Sequence, residues 1–240
     1  MKSFSITDIG KKRNVNQDYV YSSDGAVGSL PNLFIAADGM GGHKAGDFAS
    51  RCCVETIVEQ IKKSSLKTPV GIMEEALNQA NEYLYNQAKA NVEYEGMGTT
   101  LVAASIMNNN MYVANVGDSR LYIIRSQIEQ ITQDHSLVEE MVRNGELEKK
   151  EARFHPNKNI ITRAVGTNKF VVADYFEVPV QAGNRILLCS DGLTNMVEDD
   201  EIADIIKQYP DNIEEAGRLL IERANDYGGK DNIAIILIQI

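Results

Sequence analysis

The stretch Leu33-Phe34-Ile35-Ala36-Ala37-Asp38-Gly39-Met40-Gly41-Gly42-His43 joins five apolar residues to a carboxylate and then to three glycines in four positions. Its apolar half reads as a buried strand, and the residues after it as the start of a helix. An acid at the end of such a strand is placed to hold something. The glycines leave backbone carbonyls and amides uncovered, so that a ligand can approach them closely. A metal, a phosphate or both suit the arrangement. A tight strand-to-helix turn capped by the aspartate is the other reading of this stretch taken alone. The rest of the chain has to decide between them.

Working outward, the chain of 240 residues is 43% hydrophobic, enough to build a real core, and it reads as one domain over 1–240. No run approaches the ~18 apolar residues that span a bilayer, and Met1-Lys2-Ser3-Phe4-Ser5-Ile6-Thr7-Asp8 has no signal-peptide core. The expectation is a cytoplasmic protein with no membrane partner. Cys52, Cys53 and Cys189 form neither a CxxC pair nor an even set, and read as reduced, buried residues. A net charge of −10 argues against nucleic acid as a partner. It also means that an anionic substrate needs a local positive site.

Before the opening stretch, residues 4–10 read as a strand, and a polar insert through Arg13 and Asp18 leads to strand character at Tyr19-Val20-Tyr21. After it, Val54, Ile57, Val58 and Ile61 follow helical spacing, and Pro69 opens a second helix with Met73, Ala76, Leu77, Ala80 and Leu84 on one face. Strands are expected at 101–106, 111–116, 121–124 and 128–131, with a turn at Asn108-Asn109-Asn110; the short connections suggest one antiparallel meander. From 136 to 166 the pattern weakens into short helical pieces with a break at Gly145, as in a lid or insertion. Within 143–163, Arg143, Lys149, Lys150, Arg153, Lys158 and Arg163 outnumber Glu146, Glu148 and Glu151, a reversal of the acidic balance that also suits a solvated surface. Strands at 171–178 and 185–189, helices at 201–207 and from Ile213 through Ala224, and a last strand at 233–240 complete the chain. Strand groups interrupted by helix pairs favour α+β with antiparallel sheets.

Four aspartates share one context: Asp38 and Asp191 follow an apolar strand and precede Gly, Asp118 follows a strand through Gly117, and Asp231 precedes the last strand. Asp18 stands just before another strand. Each alone is an ordinary turn residue. Together they are candidates for one rim of a sheet, where their repulsion would cost several kcal/mol unless cations sat between them. Oxygen donors of this kind select Mg²⁺, Mn²⁺ or Ca²⁺ over zinc or copper, and no DxDxDG calcium loop is present. Nor is there a GxSxG elbow, a GxxxxGK[ST] loop or a Cys followed six residues later by Arg. Metal-activated water is the remaining economical nucleophile, and Ser119 and Ser190 read as turn residues.

Arg13-Asn14-Val15-Asn16-Gln17-Asp18, Asp38-Gly39-Met40-Gly41-Gly42-His43, Gly98-Thr99-Thr100, Gly117-Asp118-Ser119-Arg120, Asp134-His135-Ser136, Ser190-Asp191-Gly192-Leu193 and Asp231-Asn232, in this order and spacing, resemble the motif set of the PPM/PP2C family of metal-dependent protein serine/threonine phosphatases in its compact bacterial form. The resemblance implies a four-layer α-β-β-α sandwich with two central antiparallel sheets and a dinuclear Mn²⁺ or Mg²⁺ site at one end. It implies that Asp38 bridges the ions, the Gly39 carbonyl binds the first, and Asp191 and Asp231 bind the second. Asp18 would hold metal-bound waters or ligate directly, Arg13 would grip the substrate phosphate, and Asp118 would contribute to a third, weaker metal site. The segment 136–166 corresponds to the family's mobile flap.

The implied chemistry is attack on phosphorus by a metal-bridging water or hydroxide without a phosphoenzyme, on phosphoserine or phosphothreonine of protein partners, opposing a Ser/Thr kinase, by a monomer. Where eukaryotic relatives have a His after the Asp-Gly pair this chain has Met40, so the general acid is not assigned. A metal-binding pseudophosphatase that works by binding partners is the alternative; intact Arg13, Asp38, Asp191 and Asp231 argue against it. If the basic segment contacts the phosphoprotein, neutralising Lys149, Lys150 and Arg153 together is expected to raise KM for phosphoproteins more than for a small phosphate ester. Equal effects on the two substrates would refute that role.

Overall fold

Along the strand Leu33–Met40, Leu33, Ile35 and Ala37 enter one hydrophobic core and Phe34 and Ala36 another, as the two-residue repeat of a strand buried on both faces requires. In the computed structural model the strands are β1 (Lys2–Asp8), β2 (Asp18–Ser23), β3 (Leu33–Met40), β4 (Gly98–Thr99), β5 (Leu101–Met107), β6 (Asn110–Val116), β7 (Arg120–Ile124), β8 (Ile128–Gln130), β9 (Asp174–Pro179), β10 (Arg185–Cys189) and β11 (Ile233–Gln239). The helices are α1 (Ala45–Lys63), α2 (Pro69–Ala90), α3 (Leu137–Arg143), α4 (Lys149–Ala152), α5 (Asp191–Thr194), α6 (Asp199–Gln208) and α7 (Ile213–Asp226). The structure describes residues 1–42 and 45–240; His43, the last residue of the opening motif, and Lys44 lie outside the described residues.

Two antiparallel sheets form the centre, ordered β1-β11-β10-β7-β8 and β2-β3-β5-β6-β9, with β4 attached to β3. Helices α1 and α2 bury Val54, Ile57, Ile61, Ile72, Leu77 and Leu84 against the outer face of the second sheet, where Leu33 and Ile35 point. Helices α6 and α7 bury Ile202, Ile206, Ile213 and Leu220 against Leu187, Ile235 and Leu237 of the first. Phe34, Val102, Val113, Ile123, Leu188 and Ile236 fill the space between the sheets. This is the expected α-β-β-α sandwich, with every layer made by the apolar face that the sequence periodicity marks. Among the described residues no helix is long and apolar enough to cross a membrane, and Cys53 and Cys189 are buried and unbridged, Cys52 half-buried and unbridged.

The expected single meander is corrected. Strands β5 and β6 form a hairpin through Asn108 and Asn109, at φ 53° and 62°, the left-handed pair that matches strand twist in a two-residue turn. The chain then leaves that sheet at Gly117-Asp118-Ser119 and builds β7-β8 in the other one. Periodicity could not show the crossing, because β6 and β7 are both buried on both faces. Asp191 likewise opens α5 instead of lying in a turn, and β9 begins at Asp174, three residues later than expected.

Register places the site. Asp18 pairs with Asp38, Asp8 with Ile233, Leu101 with Val116, and Cys189 with both Arg120 and Ile235. The ends of β1, β3, β6 and β10 and the starts of β2, β7 and β11 therefore share one rim. Ile236→Ala, at the fully buried sheet interface, is expected to cost about 2–5 kcal/mol, read as a lower urea midpoint at unchanged m. Ile160→Ala, at a half-exposed site, is expected to change stability by less than about 0.5 kcal/mol.

Candidate active site

Asp18 and Asp38 stand opposite each other across β2 and β3. Asp18 is buried, and its Oδ2 accepts a hydrogen bond from Ser190 Oγ at 2.6 Å, while Ser190 Oγ accepts one from the Ala234 N–H at 2.9 Å. The backbone of Asp38 is fully engaged: its N–H donates to Thr100 Oγ1, and its carbonyl accepts from Thr99 Oγ1 and the Thr100 N–H, each at 2.9 Å. That fixes the root of the carboxylate and leaves the head free. Gly39 continues the strand; a Cβ there would lie 1.9 Å from the Gly46 carbonyl oxygen and 2.9 Å from that of Gln17, so only glycine lets α1 start this close.

Asp191 is the first residue of α5, and its Oδ2 accepts from Asn195 Nδ2 at 2.7 Å, one turn on. Asp231 accepts from Arg13 Nη2 at 2.7 Å through one oxygen and from the Asn232 N–H at 2.9 Å through the other. Asp118 is buried in the crossing loop, where His135 clamps the preceding residue: Gly117 donates its N–H to His135 Nδ1 at 3.0 Å and accepts the His135 N–H at 2.9 Å. His135 therefore carries its ring proton on Nε2, facing Asp174 Oδ2 at 3.0 Å.

The electrostatics of this rim are unfavourable as it stands. Burial first, then the charges of Asp191 and Asp231, push the Asp18 carboxyl up to about 7 against the opposing Ser190 hydrogen bond. Burial and the Asp231 charge push Asp191 up to about 6. Asp38 and Asp118 are raised well above the usual range by burial and by neighbouring aspartates. Asp18 Oδ1 and Asp191 Oδ1 are buried acceptors with no hydrogen-bond partner, which is costly unless something positive meets them.

A hard divalent cation fits this donor set. Oxygens from carboxylates and a strand-end carbonyl are its preferred ligands, and the orphaned acceptors lack the partner that a cation provides. Among the described residues no three acidic, His or Cys side chains already cage a single point, since Asp231 is turned to Arg13 and Asp191 to Asn195. Few carboxylates per ion, completed by water, is how Mg²⁺-type ions are usually held.

A cleft of about 960 Å³ runs from Asp118 and Asp191 out to the basic segment. Most of that segment's cations face the protein itself: Arg153 pairs with Glu198 at 3.0 Å, Lys150 with Glu148 at 2.7 Å and Arg163 with Asp174 at 2.9 Å, and Lys158 Nζ donates to Asn195 Oδ1 at 3.0 Å. Phe154 lines the same cleft and is 81% exposed.

Sequence reasoning missed several supports. Ser190 and Ser119, read as turn residues, are buried; Ser190 serves Asp18, and Ser119 Oγ meets Thr100 Oγ1 at 2.7 Å beneath Asp38. Asn195 was out of reach because a four-residue helix leaves no periodic signal.

The family described as Protein phosphatase 2C matches residues 19–233. The chain belongs to that family. It is 41% identical over 240 residues to the serine/threonine phosphatase stp of Listeria welshimeri, covering 97% of this chain and 93% of that one. Its structure is similar to that of the serine/threonine phosphatase Stp1 from Staphylococcus aureus, with TM-score 0.91 and 38% identity over 100% of this chain and 94% of that one. It is also similar to the catalytic domain of serine threonine protein phosphatase PstP in complex with 2 manganese ions, with TM-score 0.86 and 31% identity over 98% and 96% of the two chains. This protein phosphatase 2C is a serine/threonine protein phosphatase of a metal-dependent family.

Raised carboxyls hold protons in the folded protein at a pH where the unfolded chain has lost them. Their stabilisation is fully present below the ordinary carboxylate range and is lost as pH rises through about 6 for Asp191 and about 7 for Asp18. Chelated protein is therefore expected to melt at a higher temperature near about pH 5.5 than near about pH 8, and Mn²⁺ to stabilise it more at the higher pH. Thermal melts at the two pH values, with and without Mn²⁺, check both signs.

Proposed function

We propose that the rim of Asp18, Asp38, Gly39, Asp118, Asp191 and Asp231 is a metal centre that hydrolyses phosphoserine and phosphothreonine in proteins, with Arg13 holding the phosphate. The observation that carries this reading is the group of buried, mutually repelling carboxylates with orphaned oxygens beside a half-exposed arginine. Asp38 is assigned to both of two ions, Mn²⁺ or Mg²⁺, with the Gly39 carbonyl on the first and Asp191 and Asp231 on the second. Asp18 is assigned to the same centre directly or through water, and Asp118 to a third, weaker ion. When bound, such ions stabilise charge on phosphoryl oxygens and bring the pKa of water towards neutrality.

The chain's own residues do the rest. Arg13 offers a planar fork that matches phosphate oxygens, and it is held charged, against its own partial burial, by Asp231, Asp38 and Asp191. Ser190 fixes one oxygen of Asp18 and so orients the other. Met40, half-buried beside Gly98, carries no exchangeable proton, and water is the donor we assign to the leaving alkoxide. The cleft that opens from Asp118 and Asp191 is where we place the peptide that carries the phosphate. The physiological setting that suits this chemistry is the cytoplasm, with a monomer opposing a Ser/Thr protein kinase.

Phosphate release from a phosphothreonine peptide is expected to require Mn²⁺ or Mg²⁺, to stop on chelation, and to fall by about a hundredfold or more in Asp38→Asn. Arg13→Ala is expected to lower kcat/KM by about 10- to 100-fold, the loss of one charge-assisted contact. Metal-loaded wild type without activity would overturn the reading.

A further inference from the structure

The loop that carries Arg13 has only short-range ties of its own, a turn at residues 10–12 with the Gly10 N–H on Asp8 Oδ1 and the Asp18 N–H on Asn16 Oδ1, and its further anchors come from the other end of the chain. It leaves β1 after Asp8 and enters β2 at Asp18, and both of its ends are tied to one buried side chain 215 residues or more away. Asn232 Nδ2 donates to the carbonyl oxygens of Ile9 at 2.9 Å and Val15 at 3.0 Å, and Asn232 Oδ1 accepts the N–H of Gln17 at 2.9 Å. The Gly229 carbonyl adds a second tie by accepting the N–H groups of Lys11 at 2.8 Å and Lys12 at 3.2 Å. Arg13 lies between these anchor points.

Asn232 is itself fixed from two sides. Its N–H donates to Asp231 Oδ1, and its carbonyl oxygen packs on Gly192, where a Cβ would come within 1.8 Å of it. Residue 192 follows Asp191 at the start of α5. One asparagine thus touches the loop of Arg13, the carboxylate of Asp231 and the helix turn of Asp191.

We propose that Asn232 is a positioning residue for phosphate binding, which holds loop 9–17 so that the Arg13 guanidinium meets the substrate from a fixed direction. The proposal rests on the reading of Arg13 as the phosphate-binding group. The side chain required here must give two hydrogen bonds and accept one from a single buried point. An amide does this. Aspartate has no donors and would set a negative charge against two carbonyl oxygens, a serine hydroxyl reaches one partner, and glutamine is one methylene too long for a residue that is 3% exposed. Asn232 acts through Arg13 and does not touch the reacting atoms.

The test is a double-mutant cycle on the Mn²⁺-loaded protein, with Asn232→Ala, Arg13→Ala and the double variant. The readouts are inhibition by inorganic phosphate, KM and kcat with a small phosphate ester, and Mn²⁺ affinity by calorimetry. Arg13→Ala and Asn232→Ala are each expected to weaken phosphate inhibition by about tenfold, and the double variant to match Arg13→Ala within about twofold, because residues that act through one another are not additive. Mn²⁺ affinity in Asn232→Ala is expected to stay within about twofold of wild type, since the backbone contact to Asp231 remains. Additive losses, or a fall in Mn²⁺ affinity that parallels the loss of phosphate binding, would show a general structural role and overturn the proposal. Unchanged phosphate inhibition in Asn232→Ala, with Arg13→Ala impaired, overturns the proposal alone; unchanged inhibition in Arg13→Ala overturns the role of Arg13 and the proposal with it. Asn232→Ser, which keeps a hydroxyl for one partner, supplies the same comparison if the alanine variant does not fold, with an intermediate loss expected.

Discussion

The crowding of four aspartates on one rim is the constraint on which the rest of this protein depends. Asp18, Asp38, Asp118 and Asp191 all have carboxyls pushed upward by burial and by neighbouring aspartates. A cluster of this kind would spread apart if the backbone allowed it. It does not, because the roots of Asp18, Asp38 and Asp191 are set by strand ends or a helix start, and that of Asp118 by the short crossing between β6 and β7, elements whose apolar residues are locked in one of three cores. The hydrophobic energy of the sandwich therefore holds an electrostatically strained rim in place, a strain that a divalent cation relieves. Stability and function are coupled at this edge.

The same constraint explains the small polar residues around it. Ser190, Thr99, Thr100 and Asn195 each give a hydrogen bond to an aspartate or receive one from it, so that the Asp38 backbone and one carboxylate oxygen each of Asp18 and Asp191 are satisfied without added charge. Lysines in their place would neutralise the site and compete with metal. Positive charge is kept to the margin: Arg13 on one side, half-exposed and paired with Asp231, and Arg153 and Lys158 on the other, anchored to Glu198 and Asn195. For a chain of net charge −10 these marginal cations offset the repulsion of an incoming phosphate where it matters.

The layers were legible because both faces of the central strands are apolar and the helices carry clean i, i+3, i+4 stripes, as in Ile57 and Ile61 or Ile213 and Ala216. The rim was legible because Asp-Gly pairs recur at strand ends. What could not be read was which sheet a strand joins. Strands β6 and β7 look alike in sequence, and the crossing between them is decided by pairing with β9 and β10, far along the chain. The supports of the site were hidden for the same reason: Ser190 meets Asp18 across 172 positions and Asn232 meets Val15 across 217, and no local period records such contacts. The basic segment was read correctly as basic, but its charges are largely spent on neighbours in the fold, a competition invisible to composition.

Those ion pairs differ in kind from the rim. Arg153 with Glu198 and Lys150 with Glu148 each include a largely exposed partner, and pairs of that sort contribute about 0–1 kcal/mol. A phosphorylated peptide that offers comparable contacts can exchange for them at little cost. Asp18 and Asp38 have no such freedom, because moving either means breaking strand pairing and exposing core. The rim is thus costly to deform, where charge must be placed accurately for phosphoryl transfer, and the cleft that runs out from Asp118 and Asp191 is edged by polar contacts that exchange readily. A serine/threonine protein phosphatase is served by this division: accuracy at the phosphate, tolerance around it.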